Sequence, residues 1–310
     1  MTSFARSRAH PRAGARVLAI SEWDQAIAVA RRDPVSYVLA LVHMEAGFES
    51  GYSMGEVCGY PESGPLSAVC WAGANIVPII PEPDFSQSER SDVLGSFSQL
   101  ALRMGRRCSS IVGPSSDVLA LWELLDGSWK QPREIRPRQY SMAITQPPRV
   151  APDPRVRYAR SADFDGVFPA SVHMFHEEVG ISPLSFGSAY YAARVQELIE
   201  QRRTLISTKP ATNYGTPDAP DAPATAGRVL FKSDFGAVAS SVAQVQGVWI
   251  DPEFRGRGLS VAAVAATVVH GLRDVAPTVS LYVNDYNSRA VAAYRHVGFE
   301  DVGMCATVLF

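Results

Sequence analysis

The chain has 310 residues, of which 46% are hydrophobic and 19% charged, and its formal net charge at pH 7 is -2. This length is sufficient for two domains of ordinary size, and the composition is that of a globular protein. The near-neutral charge excludes nucleic acid and anionic membranes as expected main partners. No apolar run approaches the roughly 20 residues that a membrane-spanning helix needs, so we expect a cytoplasmic protein.

The amino-terminal residues and the cysteines carry little functional signal. Residues 1–20 contain several arginines, and no apolar core follows them. We therefore interpret this segment as a disordered tail rather than a secretory signal, and a transit peptide is the less favoured alternative. Cys58, Cys70, Cys108 and Cys305 are scattered and form no C-x-x-C pair. This spacing favours buried free thiols over a disulfide framework or a structural zinc site, and we expect no metal.

The first half of the chain predicts two helices followed by mixed strands and helices. Residues 22–32 and 35–46 have helical patterns, and Asp33-Pro34 separates them. Ser86 and Ser88 are candidate caps of a third helix. The further predicted elements are strands in GEVCGY and LSAVCWAGANIVPII, a helix over 88–104, a strand in CSSIVG, a helix over 115–125 and a strand in RQYSMAI. The predicted order is α-α-β-β-α-β-α-β.

A proline-rich segment divides the chain. The stretch TQPPRVAPDP, which ends at Pro154, cannot continue a helix or a central strand. We therefore predict one domain over residues 21–145, a linker over 146–154 and a second domain over 155–310.

The second half predicts the order β-α-α-β-β-β-α-β-α-β. Ser161 is the expected cap of its first helix, and the loop KPATNYGTPDAPDAPATAG is expected to be mobile. The predicted elements are strands in VRYAR, TLIST, RVLFKS, VASSVAQVQGVWI, TVSLYVN and DVGMCATVLF, and helices over 162–176, 188–203, 258–275 and 288–296. Because the order of the first half recurs, the economical interpretation is two related α+β domains in tandem. The mixed order also argues against a Rossmann pattern, which should alternate more regularly.

The stretch DPEFRGRGLS, residues 251–260, joins a predicted strand to a predicted helix. The first amides of a helix lack intrahelical partners, and the helix dipole favours negative charge there. The glycines allow these amides to form a nest for phosphate, and Arg255 and Arg257 would add charge-assisted bonds. The alternative is a glycine-rich turn with solvated arginines.

A second motif follows in LYVNDYNSRAVAAYRHVGFE. Asn287 can cap a helix on which Ala290 and Tyr294 share one face, and Gly298-Phe299 follow it. With both motifs, the second half resembles the GNAT superfamily of acetyl-CoA-dependent N-acetyltransferases. The family's Gln/Arg-x-x-Gly-x-Gly/Ala signature resembles residues 255–260, with serine as a departure at the last position. Its Asn-x-x-Ala-x-x-x-Tyr signature is matched throughout.

The resemblance implies a tandem architecture in which each domain is a mostly antiparallel twisted sheet flanked by helices. The first half lacks the glycine-arginine turn in IVPIIPEPDFSQSERSDVLGS and lacks the asparagine and tyrosine in SSDVLALWELLDGSW. We interpret it as a degenerate copy ahead of an intact one. This layout resembles two-domain actinobacterial GNAT proteins and is similar to that of mycothiol synthase.

The resemblance also implies roles for particular residues. The Val248 amide would polarise the thioester carbonyl, and Tyr294 would return a proton to the leaving thiolate, although a core tyrosine is the alternative interpretation. The residues implied to hold acetyl-CoA are Val248, Trp249, Ile250, Arg255, Gly256, Arg257, Gly258, Leu259, Ser260, Val261, Asn287, Ala290 and Tyr294.

The general base is not assigned by the motifs. Many GNAT enzymes use a glutamate on the strand before the phosphate turn, but Gln244 and Gln246 stand there and cannot act as bases. A water chain or a carboxylate elsewhere would have to accept the proton. Glu177 and Glu178 are the leading alternatives, because their loop borders the acceptor pocket in the family; solvated acids at a helix end are the competing interpretation.

Two functions follow from these residues. The first is an N-acetyltransferase that moves an acetyl group from acetyl-CoA to an amine by direct attack on the thioester, with the second domain active. The alternative is a catalytically weak or inactive CoA- or acyl-CoA-binding sensor. The sequence leaves open the acceptor, a homo-oligomer, and a partner-binding role for the first domain.

Overall fold

The computed structural model describes residues 14–209 and 227–310. The chain forms two compact units, of which the first runs to Tyr140 and also contains Gly303–Phe310, while the second is Ser141–Val302. The predicted mobile loop lies almost wholly outside the described residues, as does the tail up to residue 13.

The first half of the chain has the order β-α-α-β-β-β-α-β-α-β. Its elements are β1 (Arg16–Val17), α1 (Trp23–Ala30), α2 (Pro34–Ser50), β2 (Glu56–Tyr60), β3 (Ala68–Ala72), β4 (Asn75–Ile79), α3 (Gln87–Met104), β5 (Ser110–Pro114), α4 (Ser115–Leu125) and β6 (Glu134–Ile144).

The second half has the same order. Its elements are β7 (Arg157–Tyr158), α5 (Phe164–Val179), α6 (Ser188–Glu200), β8 (Thr204–Thr208), β9 (Val229–Ala239), β10 (Val242–Ile250), α7 (Leu259–Asp274), β11 (Thr278–Asn284), α8 (Ser288–Val297) and β12 (Glu300–Leu309). The repeated order supports the prediction of two related mixed α/β halves.

Each unit is a mostly antiparallel sheet with helices packed against it. In the first unit the strand order is β1-β2-β3-β4-β5-β12, and only β4 and β5 pair in parallel. In the second unit β11-β10-β9-β8-β7 are neighbours, and only β10 and β11 pair in parallel. A single parallel pair in each sheet follows from the helix that connects its two strands, since a crossover returns the chain in the same direction.

Several element predictions need correction. The predicted strand VASSVAQVQGVWI is divided, because Ser240 turns the chain with a φ of 48° between β9 and β10. β1 lies within the predicted tail, where Arg16 and Val17 pair with Gly59 and Cys58. Ser161 does not cap α5, because a 3-10 turn over Ser161–Asp163 precedes that helix. These short features contain too few residues to produce a periodic pattern.

The observed units also differ from the predicted domain boundaries. Gly303–Phe310 belong to the first unit because β12 pairs with β5 from Cys305↔Pro114 to Leu309↔Ser110. The predicted linker is part of the second unit, where the amides of Arg149 and Asp153 donate to the carbonyls of Val297 and Ala262. The prolines prevent these residues from forming a helix or strand, but the segment is still hydrogen-bonded to the second unit.

Two kinds of feature are absent from the residues that the structure describes. Within residues 14–209 and 227–310, no helix is long and apolar enough to cross a bilayer. Across the same residues, no three His, Cys, Asp or Glu side chains come together as a metal site requires. Cys58, Cys70, Cys108 and Cys305 are all buried, as the sequence predicted.

The pairing of β12 with β5 predicts a stability effect. Val308 is fully buried in the first unit, so Val308→Asp should lower the free energy of unfolding by about 4 kcal/mol. Tryptophan fluorescence during urea unfolding reports this unit, since it contains Trp23, Trp71, Trp122 and Trp129 of the five tryptophans.

The matched control for this substitution is on the same strand. Val302 is 53% exposed, and Val302→Asp should leave the urea midpoint nearly unchanged. Equal midpoints for the two variants would contradict the burial of Val308 in this sheet.

Candidate active site

Strands β10 and β11 separate along their length. Their register pairs in the described chain run from Val242↔Thr278 to Gln244↔Ser280, but β10 continues to Ile250 and β11 to Asn284. Beyond Gln244 the β11-facing edge of β10 therefore has backbone groups available to a ligand that can add as a strand.

A β-bulge lies on β10 just past this separation. Gln246 pairs with Asp234 of β9 and Trp249 with Lys232, so two residues of β10 stand opposite one residue of β9. The first of the two, Gly247, has a φ of 58°. Bulges of this kind change the direction of backbone groups and are frequent beside active sites. The amide of Val248, the second bulged residue, is the group that the sequence assigned to the thioester carbonyl.

The turn between β10 and α7 presents exposed backbone. Gly256 and Gly258 have φ values of 76° and 74°, a conformation that side chains rarely adopt. Apart from the glycine itself and its two chain neighbours, no described residue has an atom within 4 Å of where a Cβ on either glycine would stand. Gly258 is the N-cap of α7 and provides no side chain to its first amides. Leu259, Ser260 and Val261 form the first turn of that helix.

The two arginines of this turn are directed differently. The Arg255 guanidinium donates to the Ile250 carbonyl at 3.0 Å and pairs with Glu177 of α5 at 2.6 Å. The Arg257 guanidinium lies over the Phe254 ring, 5.1 Å from its centroid. Both side chains are exposed at the helix N-terminus, and Glu177 balances the charge of Arg255 there.

Two buried polar atoms of β11 support a ligand at the separation. Ser280 Oγ and Asn284 Oδ1 have no hydrogen-bond partner among the described residues, although both atoms are shielded from solvent. Buried polar atoms of folded proteins are nearly always paired, so these two need a partner, a water or a ligand atom, from outside the described residues. They lie four residues apart and therefore on one face of the strand. An amide-rich chain such as pantetheine fits this requirement.

Helix α8 brings the second motif to this site. Asn287 caps the helix, as predicted, because its side-chain oxygen accepts from the Ala290 amide at 3.2 Å. The Tyr294 ring lies against Phe299 with 5.9 Å between centroids. Burial raises the pKa of Tyr294, and the charge of Glu178 raises it further. The phenol is thus protonated at neutral pH, as a proton donor must be.

The structure separates the two candidate carboxylates at the end of α5. Glu177 is held by Arg255 at the phosphate turn. Glu178 acts electrostatically on both Tyr294 and Tyr191. Burial raises the pKa of Tyr191 to about 12, and the charges of Asp234 and Glu178 contribute. Glu177 therefore lies at the glycine-arginine turn, while the charge of Glu178 raises the pKa of both Tyr294 and Tyr191.

Sequence reasoning missed two features of this unit. Lys232 and Asp234 form a buried ion pair on β9, opposite the bulge. Their signal was two charges at alternate positions in the apolar run RVLFKSDF. A cleft of about 550 Å³ was also missed, because it assembles residues distant in sequence. Its lining includes Asp165, Pro169, Ala170, His173, Arg228, Trp249, Asp251 and Pro252.

The corresponding helix of the first half has a closed N-terminus. Helix α3 follows β4 as α7 follows β10, and Ser86 caps it. The Ser86 hydroxyl accepts from the Glu89 amide at 3.4 Å, and the Glu89 carboxylate accepts from the Ser86 amide at 2.9 Å. This capping box uses the amides that a phosphate would need and places an acid beside them.

A buried ion pair fills the adjoining space. The Arg90 guanidinium donates to both carboxylate oxygens of Asp117 at 2.6 and 2.7 Å and to the Ile80 carbonyl at 3.1 Å. Asp117 is the third residue of α4, as Ala290 is the third residue of α8. The side chains thus join the ends of β4, α3 and α4, which in the second unit correspond to the elements around the open turn.

Comparisons with known proteins match the two parts of the chain to different families. Residues 185–299 match the family model described as the acetyltransferase (GNAT) family, and residues 55–167 match a domain of unknown function, DUF4081. A stretch of 60 residues is 32% identical to an uncharacterized N-acetyltransferase from Methanocaldococcus jannaschii. The matched stretch is 19% of this chain and spans 26% of that relative.

Solved structures share the fold over nearly the whole chain. A Drosophila protein aligns with a TM-score of 0.61 at 14% identity, over 96% of this chain and 98% of its own. A GCN5-related N-acetyltransferase from Sphaerobacter thermophilus gives 0.55 at 13%, over 94% and 93%. A tandem GNAT protein from the clavulanic acid biosynthesis pathway gives 0.52 at 11%, over 95% and 98%. Residues 185–299 thus match the GNAT family model, and the chain shares the fold of tandem GNAT proteins.

The ion pair of the first unit predicts a large stability loss. Asp117 is fully buried, and burial raises its pKa against the opposing effect of Arg90. Arg90→Ala would leave that carboxylate without its partner and should lower the free energy of unfolding by about 3 to 5 kcal/mol. The exposed pair Arg32–Asp84 provides the control, because Arg32→Ala should hardly change the urea midpoint. Similar midpoints for both variants would contradict this role of Arg90.

Proposed function

We propose that the second unit transfers an acetyl group from acetyl-CoA to an amine. The observation that carries this proposal is the separation of β10 from β11 beside an uncapped, arginine-flanked helix N-terminus. Ser280 and Asn284 add buried polar atoms that need partners at the same place. The GNAT match of residues 185–299 supports acyl-transfer chemistry in general.

The residues present fit the groups of acetyl-CoA. The amides from Gly256 to Val261 suit the pyrophosphate, with the α7 dipole and the two arginines favouring its charge, whereas the Arg255 amide donates to the Pro252 carbonyl at 3.3 Å. The β11-facing edge of Val248, Trp249 and Ile250 suits the amides of the pantetheine arm. The Trp249 side chain takes no part, because it is buried in the apolar core of the second unit. Asn287 and Ala290 lie in the first turn of α8.

Acetyl-CoA would supply an acetyl thioester, and the chain's own groups would handle charge and protons around it. The Val248 N–H donates to the carbonyl oxygen, where negative charge develops. The Glu178 carboxylate accepts a proton from the attacking amine, and the Tyr294 hydroxyl gives one to the departing sulfur. The charge of Glu178 on Tyr294 supports this pairing of acid and base.

The cleft beside Trp249 is the proposed approach for the acceptor. Its volume of about 550 Å³ suits a small molecule, and it reaches the residue next to Val248. The exposed polar groups of its lining include Asp165 and His173 on α5 and Arg228 just before β9. A cytoplasmic, actinobacterial setting and the likeness to mycothiol synthase stay predictions from the sequence.

The phosphate turn gives the first test of the proposal. Gly258→Asp should weaken acetyl-CoA binding about a hundredfold, because a carboxylate would stand among the phosphate amides, whereas Gly258→Asn should weaken it much less. Both residues tolerate a positive φ, so the pair isolates charge from shape. Calorimetry with acetyl-CoA measures the affinities, and thiol release with a panel of amines measures transfer by the wild-type protein. Equal affinities of the two variants would contradict the assignment of the turn.

The two glutamates at the end of α5 give a second test. Glu178→Gln should lower kcat about a hundredfold at unchanged acetyl-CoA affinity, because a general base is lost. Glu177→Gln should alter acetyl-CoA affinity rather than kcat, because it releases Arg255. Thiol-release kinetics with the amine that the panel identifies, together with calorimetry, separate these effects. A kcat that Glu178→Gln leaves intact would exclude Glu178 as the base.

A further inference from the structure

A lysine and an aspartate are buried together in the middle of the second unit. Lys232 and Asp234 are 1% and 6% exposed and form an ion pair along β9. Lys232 is one of the largest fully buried side chains of the described chain. The assigned steps of acetyl transfer use neither residue, and the neighbouring positions of the strand are apolar or small.

The pair stands opposite the bulge of β10. Asp234 is the register partner of Gln246 and Lys232 that of Trp249, so the two charged residues flank the bulge on the partner strand. Asp234 Oδ2 lies 3.3 Å from the place where a Cβ on Gly247 would stand. The ion pair therefore contacts the bulge from the β9 side.

Asp234 is fixed from a third strand as well. The Thr204 hydroxyl donates to Asp234 Oδ1 at 2.8 Å, and Thr204 is its register partner on β8. On β10 itself, the side-chain nitrogen Nε2 of Gln246 donates to Gln244 Oε1 at 2.8 Å. A line of polar side chains thus crosses β8, β9 and β10 at the level of the bulge.

Stability alone does not account for such a pair. Removing two charges from water costs several kcal/mol for each ion, and replacement of a buried pair by apolar residues of similar size is often neutral or stabilising. The attested use of buried polar groups is to specify one local arrangement over its neighbours. A bulge needs such specification, because a one-residue slip would turn its backbone groups to the other side.

We propose that the Lys232–Asp234 pair is a positioning element for acyl transfer, which holds the Gly247–Val248 bulge so that the Val248 amide faces the thioester carbonyl. This inference rests on the proposed function and adds to it residues that neither motif contains. It also gives a reason for the buried carboxylate of Asp234 on β9. The corresponding polar residues of β10, Gln244 and Gln246, are uncharged.

The test replaces both charges at once. A single substitution would leave one buried charge unpaired and unfold the protein, so the variant is Lys232→Met with Asp234→Leu. It should keep the wild-type melting temperature, and its acetyl-CoA affinity should change far less than its kcat, because the glycine-arginine turn is untouched. Its kcat for acetyl transfer to hydroxylamine, an amine unprotonated at neutral pH, should fall about a hundredfold, the order of loss that a displacement of about 1 Å causes.

A matched control lies on the same strand. Ser233 and Thr267 form a buried hydroxyl pair at 2.9 Å on the opposite face of β9, and Ser233→Ala with Thr267→Val should leave kcat unchanged. Because hydroxylamine needs no base, a loss confined to the charged-pair variant reports carbonyl activation. A folded charged-pair variant with wild-type kcat overturns this inference alone, and so does an equal loss in the control. Failure of the wild-type protein to bind acetyl-CoA overturns the proposed function instead.

Discussion

Backbone polar groups need partners, and the second unit leaves a connected set of them available from the edge of β10 to the first turn of α7. The separation of β10 from β11 opens the strand edge, and the uncapped Gly258 opens the helix end. Both features cost stability in the free protein, because these backbone groups can form hydrogen bonds only with water there. A ligand with amides at one end and phosphates at the other would satisfy both, and the proposed acyl site depends on this coincidence.

The two halves resolve the same constraint in opposite ways. In the first half, Ser86 and Glu89 close the N-terminus of α3, and Arg90 with Asp117 fills the space behind it. In the second half the N-terminus of α7 has glycine and arginine. Among the described residues, no buried ion pair like Arg90–Asp117 connects this helix to α8. One architecture thus contains a helix N-terminus that its own side chains cap and one that they leave open, and the difference lies in a few side chains at one turn.

Much of the fold could be predicted because long elements carry strong periodic signals. Helix α4 and strand β11 have the predicted bounds, and the cap of α8 is the predicted Asn287. The features that the sequence did not predict are short or depend on partners distant in sequence. β1 has two residues, and Ser240 ends β9 with a single left-handed residue that no pattern marks. The placement of β12 beside β5 follows from packing rather than from its own sequence.

By itself the sequence determined the repeated mixed architecture, the glycine-arginine turn and the asparagine–tyrosine motif, because these depend on residues close together in the chain. Only the tertiary structure decided which carboxylate faces which partner. Glu177 and Glu178 are adjacent in sequence, yet one is bound by Arg255 and the other acts on Tyr294. The bulge at Gly247 and the Lys232–Asp234 pair behind it likewise required the register of β9 against β10. Register, like helix facing, is set by the packing of whole elements, and a local pattern of residues does not encode it.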